Sequence, residues 1–331
     1  MQTLSSRASH SFFGISAMGY YLPRTQQSIG YLVETGRTNS SADKLTKLGF
    51  ESIRIAEEES AVQLAIRAVR DLQRRSGFDL QRIDVLLYAG ALATSSVVMG
   101  DDAESWNALV DPTPLFRFPG TCLQAELGLP NASVIGIAQL ACNTFQAALR
   151  VARALLLAEP SVSHILCVAA DRFPPGAKRE IVYNLMSDGA CAAVISRDCD
   201  SNRILATRQI TRGAYWDSSI SHDQLIAAYF PLAKRVILEA VAAAALTIDD
   251  IDLLIPHNIN INSWQILSQV LGIPMQRIYT ANISKIGHVV ASDNIINYVD
   301  CLGEERIAKG NKIALFVMGF GAHWSCTIIE A

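Results

Sequence analysis

Apolar residues fall along this 331-residue chain in two recurring patterns. Residues 83–90, 164–170 and 251–258 are short continuous runs, bounded by polar or glycine residues, and read as strands covered on both faces. Residues 56–75 instead carry Ala61, Val62, Leu64, Ala65, Ala68, Val69 and Leu72 at helical spacing with arginines opposite, and Gly77 stops the helix. The same reading predicts a first strand in 12–22, helices at 122–127, 141–157, 224–246, 262–271 and 293–308, and a long loop from 91 to 119. Further strands are expected at 133–137, 187–195, 204–213, 278–283, 312–320 and 325–330, with 26–48 polar and then helical. Helix, buried strand and helix follow one another in 56–90 and again in 224–271, as in two copies of one α/β unit without a residue-level repeat. Nothing between them reads as a flexible linker, so the halves are expected to share one packed body.

Composition narrows the class. Half the residues are hydrophobic and 18% are charged, which is more core than a thin two-layer domain uses and suits helix–sheet layers or a buried subunit interface. A net charge of −3 gives no bulk attraction to nucleic acid or to an anionic membrane. The seven cysteines, at 122, 142, 167, 191, 199, 301 and 326, lack metal-finger spacing and lie mostly in apolar runs, which predicts reduced thiols and no metal site. Met1–His10 is polar, without the apolar core of a signal peptide. The richest apolar segment, 236–246, is too short to span a bilayer, so a cytoplasmic protein is expected.

One stretch organises the chemistry. Residues 133–149 open as an apolar strand and close as an Ala- and Leu-rich helix, with Cys142 between them. A helix amino terminus favours thiolate over thiol and offers a backbone donor to an oxyanion. Taken alone, Cys142 reads more readily as a small buried hydrophobe, as most free cysteines are. Three polar clusters then follow apolar elements: His257 after Leu253-Leu254-Ile255-Pro256, His288 in Gly287-His288-Val289-Val290, and the turn Gly319-Phe320-Gly321. Each alone has an ordinary structural explanation. Together they supply what thiol acylation needs: a nucleophile, a base with an orienting partner, and oxyanion donors.

In these residues the chain resembles the thiolase-fold condensing enzymes, specifically the ketoacyl-acyl-carrier-protein synthase III branch. Leu48-Gly49-Phe50-Glu51-Ser52-Ile53-Arg54 resembles its early turn and Ala141-Cys142 its nucleophile elbow. Ser187-Asp188-Gly189-Ala190 resembles its Gly-Asp-Gly-Ala turn, Pro256-His257-Asn258-Ile259-Asn260 its Pro-His-Gln-Ala-Asn segment, and Gly319-Phe320-Gly321 its terminal glycine turn. The resemblance implies a thiolase-like α/β fold of two duplicated halves, residues 1–200 and 201–331, in a five-layered α-β-α-β-α body that is usually a homodimer. It implies no tightly bound cofactor, an acyl-CoA or acyl-carrier-protein thioester as substrate, and backbone N–H groups of Cys142 and Gly321 as the oxyanion hole.

The departures from that family decide the chemistry expected. Where synthase III enzymes carry a catalytic Asn, this chain has His288, with Asp293 five residues on. That spacing is similar to a synthase III-like branch that transfers acyl groups through a Cys–His–Asp triad without forming a carbon–carbon bond. Asp293 would orient and stabilise the imidazolium, or would cap the helix beginning there. The family's coenzyme A-holding Trp and Arg correspond to Asp43 and Lys47, so thioester contacts are expected only weakly, from Lys47 and Asn260. His323 stands where the family usually has glycine, and it either narrows the site or packs. Three functions follow in order: an acyltransferase of specialised metabolism that passes an acyl group from Cys142 to a small-molecule acceptor, with acyl carrier protein a partner; a decarboxylative condensing enzyme using Cys142, His257 and His288; and a non-catalytic partner subunit.

Overall fold

The computed structural model describes residues 12–92, 113–217 and 222–331. The polar Met1–His10 segment and most of the expected 91–119 loop lie outside the described residues. In chain order the elements are β1 (Phe13–Tyr21), β2 (Gln26–Ser28), α1 (Ile29–Glu34), α2 (Ala42–Lys47), β3 (Ser52–Arg54), α3 (Ala61–Ser76), β4 (Val85–Tyr88), α4 (Pro119–Glu126) and β5 (Ser133–Gly136). Then come α5 (Thr144–Ala158), β6 (His164–Asp171), the small hairpin β7 (Glu180–Ile181) and β8 (Asn184–Leu185), β9 (Gly189–Arg197) and β10 (Arg203–Thr211). The chain finishes with α6 (His222–Ala243), β11 (Leu253–Pro256), α7 (Ile261–Leu271), α8 (Asn282–Ile286), α9 (Asp293–Gly303), β12 (Lys312–Gly319) and β13 (His323–Glu330).

Nine strands form one hydrogen-bonded ladder in the order β11-β12-β13-β10-β1-β9-β6-β4-β5. It consists of two half-sheets, because β1 and β10 meet at the single pair Gly14–Arg203 whereas β1 and β9 pair from Phe13 to Tyr21. Strand alternation then sorts the side chains into layers. Val85 and Leu87 of β4 join Ile313 and Leu315 of β12 around the central helices α5 and α9, with Phe145, Ala148, Ile295 and Tyr298 between them. Leu86 and Tyr88 face α3 on one outside, while Ala314 and Phe316 face α6 and α7 on the other. The result is helix, half-sheet, central helices, half-sheet, helix. Both faces of the inner strands are covered, which is why they read as unbroken apolar runs, whereas the edge strand β5 is largely exposed.

Several boundaries differ from the expectation, each for a local reason. The helix expected from 56 begins at Ala61, because Ser60 and Gln63 form a capping box, with Ser60 N donating to Gln63 Oε1 at 2.8 Å. Gly77 ends it in the left-handed conformation, φ 68°. Residues 278–283 are not a strand: Ile278 makes one bridge to Leu254, and α8 begins at Asn282. The helix expected over 293–308 stops at Gly303.

Candidate active site

A sharp turn aims Cys142 at the base of a cavity. Gln139 and Ala141 both have positive φ, 67° and 46°, and a single 3-10 turn, Ala141–Asn143, leads directly into α5. The turn is pressed against the end of β12: a Cβ on Gly319 would lie 2.3 Å from the Leu140 carbonyl oxygen, so only glycine fits there. Thr144 Oγ1 pins the turn by donating to the Ala89 and Ala141 carbonyls, both at 3.1 Å. Cys142 thus sits buried at the amino end of a fifteen-residue helix, as the sequence predicts.

His288 comes to it from the other half. Gly287 takes φ 61° and ψ −152°, a region open essentially only to glycine, and a Cβ there would meet the Leu185 carbonyl at 2.8 Å. His288 N donates to that same carbonyl at 2.8 Å, and the His288 carbonyl accepts from Ser187 N at 2.8 Å. The imidazole so held places Nε2 3.1 Å from Cys142 Sγ and turns Nδ1 onto Asp293 Oδ2 in a short hydrogen bond. Asp293 is saturated: Oδ2 also accepts from Asn258 N at 2.6 Å, and Oδ1 accepts from Val289 N at 2.7 Å and Asn258 Nδ2 at 3.3 Å. The capping reading of Asp293 is therefore corrected. Ser292 occupies the cap position of α9 without a side-chain cap bond, and the Asp293 carboxylate points back to the histidine turn. Burial alone would lower the His288 pKa, but the Cys142 and Asp293 charges and its hydrogen bonds to both push it up to about 10.

His257 follows β11 and stands beside His288, with ring centroids 5.4 Å apart. Burial first, and then the His288 charge, hold it well below the ordinary imidazole range. It is a neutral group next to a charged one. Both histidines and Cys142 line a cavity of about 270 Å³ whose walls include Leu225, Tyr229, Phe230, Met318 and Phe320. Asn260 lines it too, while its Oδ1 caps α7 by accepting from Ser263 N at 3.1 Å. Lys47 does not reach it. It lies exposed on α2, paired with Asp43 at 2.7 Å, while Lys44 on the same helix lies 3.9 Å from the centre of the ring of Tyr183, which lines the cavity. Gly321, φ 82°, turns the β12–β13 hairpin next to the lining residue Phe320. His323 packs: its Nδ1 is hydrogen-bonded to Thr211 Oγ1 at 2.9 Å, and it reaches the Gln139 backbone beside the nucleophile turn. Asn258 is the functional neighbour that sequence reasoning left without a role, although it directly follows His257. Among the described residues no cluster of His, Cys, Asp and Glu is arranged to hold a metal ion, and no helix is long and apolar enough to cross a membrane.

A buried thiol beside an oriented imidazole in a layered α/β body is the arrangement a thiolase-like condensing enzyme would need, and the comparisons show that family. The family model for 3-oxoacyl-acyl-carrier-protein synthase III matches residues 138–213, and that for its C-terminal region matches 241–331, together half of the chain. The chain belongs to this family. It is 25% identical over 332 residues to beta-ketoacyl-acyl-carrier-protein synthase III of Aquifex aeolicus strain VF5, covering 96% of this chain and 98% of the relative. The crystal structure of 3-oxoacyl-acyl-carrier-protein synthase III from Aquifex aeolicus VF5 superposes with a TM-score of 0.82 at 21% identity, over 96% of this chain and 100% of that one. The acyltransferase ChlB3 is equally similar in fold, with a TM-score of 0.82 at 22% identity over 97% of this chain and 98% of that one.

Proposed function

We propose that the protein is an acyltransferase of specialised metabolism working through a Cys142–His288–Asp293 triad. The carrying observation is the continuous hydrogen-bond chain from Cys142 Sγ through both His288 nitrogens to a saturated Asp293 carboxylate. Cys142 attacks the carbonyl of an acyl-CoA or acyl-carrier-protein thioester, and the backbone N–H groups of Cys142 and Gly321 hold the oxyanion. The donor thiol leaves with the His288 proton, so the acyl-enzyme carries a neutral imidazole. Acylation also removes the Cys142 charge that helps hold the His288 proton. His288 is then the base that takes the proton of an acceptor hydroxyl, amine or thiol, while Asp293 stabilises the imidazolium that forms. The acceptor bonds to the acyl carbon, and Cys142 leaves.

In this reading the halves 1–200 and 201–331 contribute Cys142 and the His257, His288, Asp293 and Gly321 group respectively. The protein is a cytoplasmic homodimer without a bound cofactor, and acyl carrier protein is a partner. The second reading, decarboxylative condensation, is favoured by the neutral His257 on the cavity wall, placed to donate to an enolate.

Intact-protein mass spectrometry decides between them. With a panel of acyl thioesters, Cys142 should gain the acyl mass and lose it when an acceptor is added, with no carbon dioxide released. Labelled carbon dioxide evolved from a malonyl thioester by the wild type, and lost in His257→Ala, would replace transfer by condensation.

A further inference from the structure

Behind Asp293 lies a buried polar network that the triad itself does not include. Asn258, Asn282 and Asn297 are all buried, Asn297 completely, although its neighbours on α9 include the core residues Ile295, Ile296, Tyr298 and Val299. Asn297 Nδ2 donates to the Pro256 carbonyl at 3.0 Å and to Asn258 Oδ1 at 2.8 Å, so it grips the chain on both sides of His257. Asn258 in turn gives Asp293 two donors, its backbone N and its Nδ2. On the far side, Asn282 Nδ2 donates to Asn297 Oδ1 at 2.9 Å and to Asp300 Oδ2 at 2.7 Å.

Each amide in this chain can lie only one way round. The Pro256 carbonyl and the Asp300 carboxylate accept and cannot donate. The first therefore holds the Asn297 amide nitrogen toward residue 256, and the second turns the Asn282 amide nitrogen toward Asn297 Oδ1. Asn258 must then present its oxygen to Asn297, which leaves its nitrogen facing Asp293. The donors run head to tail from Asn282 to Asp293, and hydrogen bonds in such chains strengthen one another. A donor aimed at a carboxylate favours its charged form and so weakens its hold on a proton.

We infer that Asn297 is a positioning residue of the active site: through Asn258 it keeps donors on Asp293 and so sets how tightly that carboxylate holds the His288 proton. The inference rests on the triad proposed above and concerns how that triad is tuned. The titratable groups facing His288 are Cys142 from the turn before α5, Asp293 from its own turn and His257 from the end of β11. With fewer donors on Asp293, its oxygens accept more strongly, and His288 keeps its proton to higher pH.

The test follows the imidazole nitrogen resonances of His288 against pH in protein whose Cys142 has been capped with iodoacetamide, which removes the thiolate charge as acylation would. In Asn297→Leu the His288 midpoint should rise by about one pH unit, the tenfold that one hydrogen bond to a charged group is worth. Asn258→Ala should raise it as well, and the two shifts should not add in the double variant. If Asn297→Leu does not fold, the Asn258→Ala titration decides. Asn294→Leu is the structural comparison, because the Asn294 side chain bonds Gln146, Ile255 and Phe316 rather than Asp293. It should lower stability in urea as Asn297→Leu does, yet leave the midpoint within about 0.3 unit of wild type. A midpoint that stays or falls in Asn297→Leu overturns the inference, as does an equal rise in Asn294→Leu. The titration needs no acyl thioester, so the two readings fail separately. Acylation of Cys142 without the shift overturns this inference alone, and the shift in a protein that no thioester acylates overturns acyl transfer alone.

Discussion

Asp188 and Asp293 are both buried, both near strand or turn ends, and both loaded with donors, yet they do different things. Asp188 takes a bidentate pair from Arg179, at 2.6 and 3.0 Å, together with Ala56 N at 2.8 Å and Phe173 N at 2.9 Å. Those partners come from two separate segments, one after β3 and one between β6 and β7, so the carboxylate ties the N-terminal half together. Asp293 has a comparable set of donors, but its charged partner is a histidine whose far nitrogen reaches a thiol. Arginine cannot release its proton at any working pH, whereas imidazole can. The same buried carboxylate is a fastener beside one and, in the proposed triad, part of a proton relay beside the other.

The largest effect isolates the relay from the scaffold. Cys142→Ala removes one sulfur from a turn fixed by Gly319 and Thr144, so turnover should fall by about a millionfold while the melting temperature holds. Among the seven cysteines, Cys142 should also be the one alkylated fastest by iodoacetamide. Equal labelling of several cysteines in the folded protein would undo the assignment of the nucleophile.

Making the same substitution at both carboxylates sharpens the contrast. Asp293→Asn should cut turnover by about 10⁴-fold, because the wrong imidazole tautomer is favoured and the imidazolium loses its counter-charge. His288 can meet that loss by going neutral, so the stability cost should be about 1–3 kcal/mol, from donors left poorly matched. Asp188→Asn should do the reverse. Arg179 is left charged and buried, and urea titration should show a loss of about 3–5 kcal/mol. The contrast breaks if Asp293→Asn turns over within threefold of wild type, or if Asp188→Asn unfolds at the wild-type urea concentration.

How much of this could be read beforehand depended on sequence distance. The Cys142 elbow was legible because a strand, a cysteine and a helix follow one another directly. The His288–Asp293 spacing was visible and suggested a triad, with a helix cap as the alternative. Whether a carboxylate at a helix start caps the helix or turns back depends on the path of the backbone before it, which here includes Val290 at a φ of 46°. The surroundings of Lys47 had no local signature, because they are set by how α2 rolls around the buried Leu45, a roll that presents Lys44 to Tyr183. The joining of the half-sheets at Gly14–Arg203 links residues nearly two hundred positions apart, with no local signature. Asn297 was hidden for a related reason: its partners Pro256 and Asn258 lie about forty positions away.

The smallest effect concerns His257, the buried titratable group that neither carboxylate holds. Burial and the His288 charge depress its pKa below the ordinary 6.5, so the folded protein keeps it neutral while the unfolded chain protonates it. Stability rises with pH wherever the unfolded state binds more protons. The His257 contribution is therefore fully present above about pH 6.5 and is lost as pH falls below that, with a slope approaching about 1.4 kcal/mol per pH unit. Glutamine cannot titrate, so urea stability of His257→Gln should fall less than that of the wild type between pH 7.5 and pH 5. Contributions from the partly buried His164 and His323, also depressed by burial, are common to both proteins and cancel in the difference. Parallel pH profiles for the two proteins would mean that His257 is protonated in the folded state. The pair of unlike histidines at the cavity wall, one charged and one neutral, would then be lost, and with it the division of labour between transfer and enolate stabilisation.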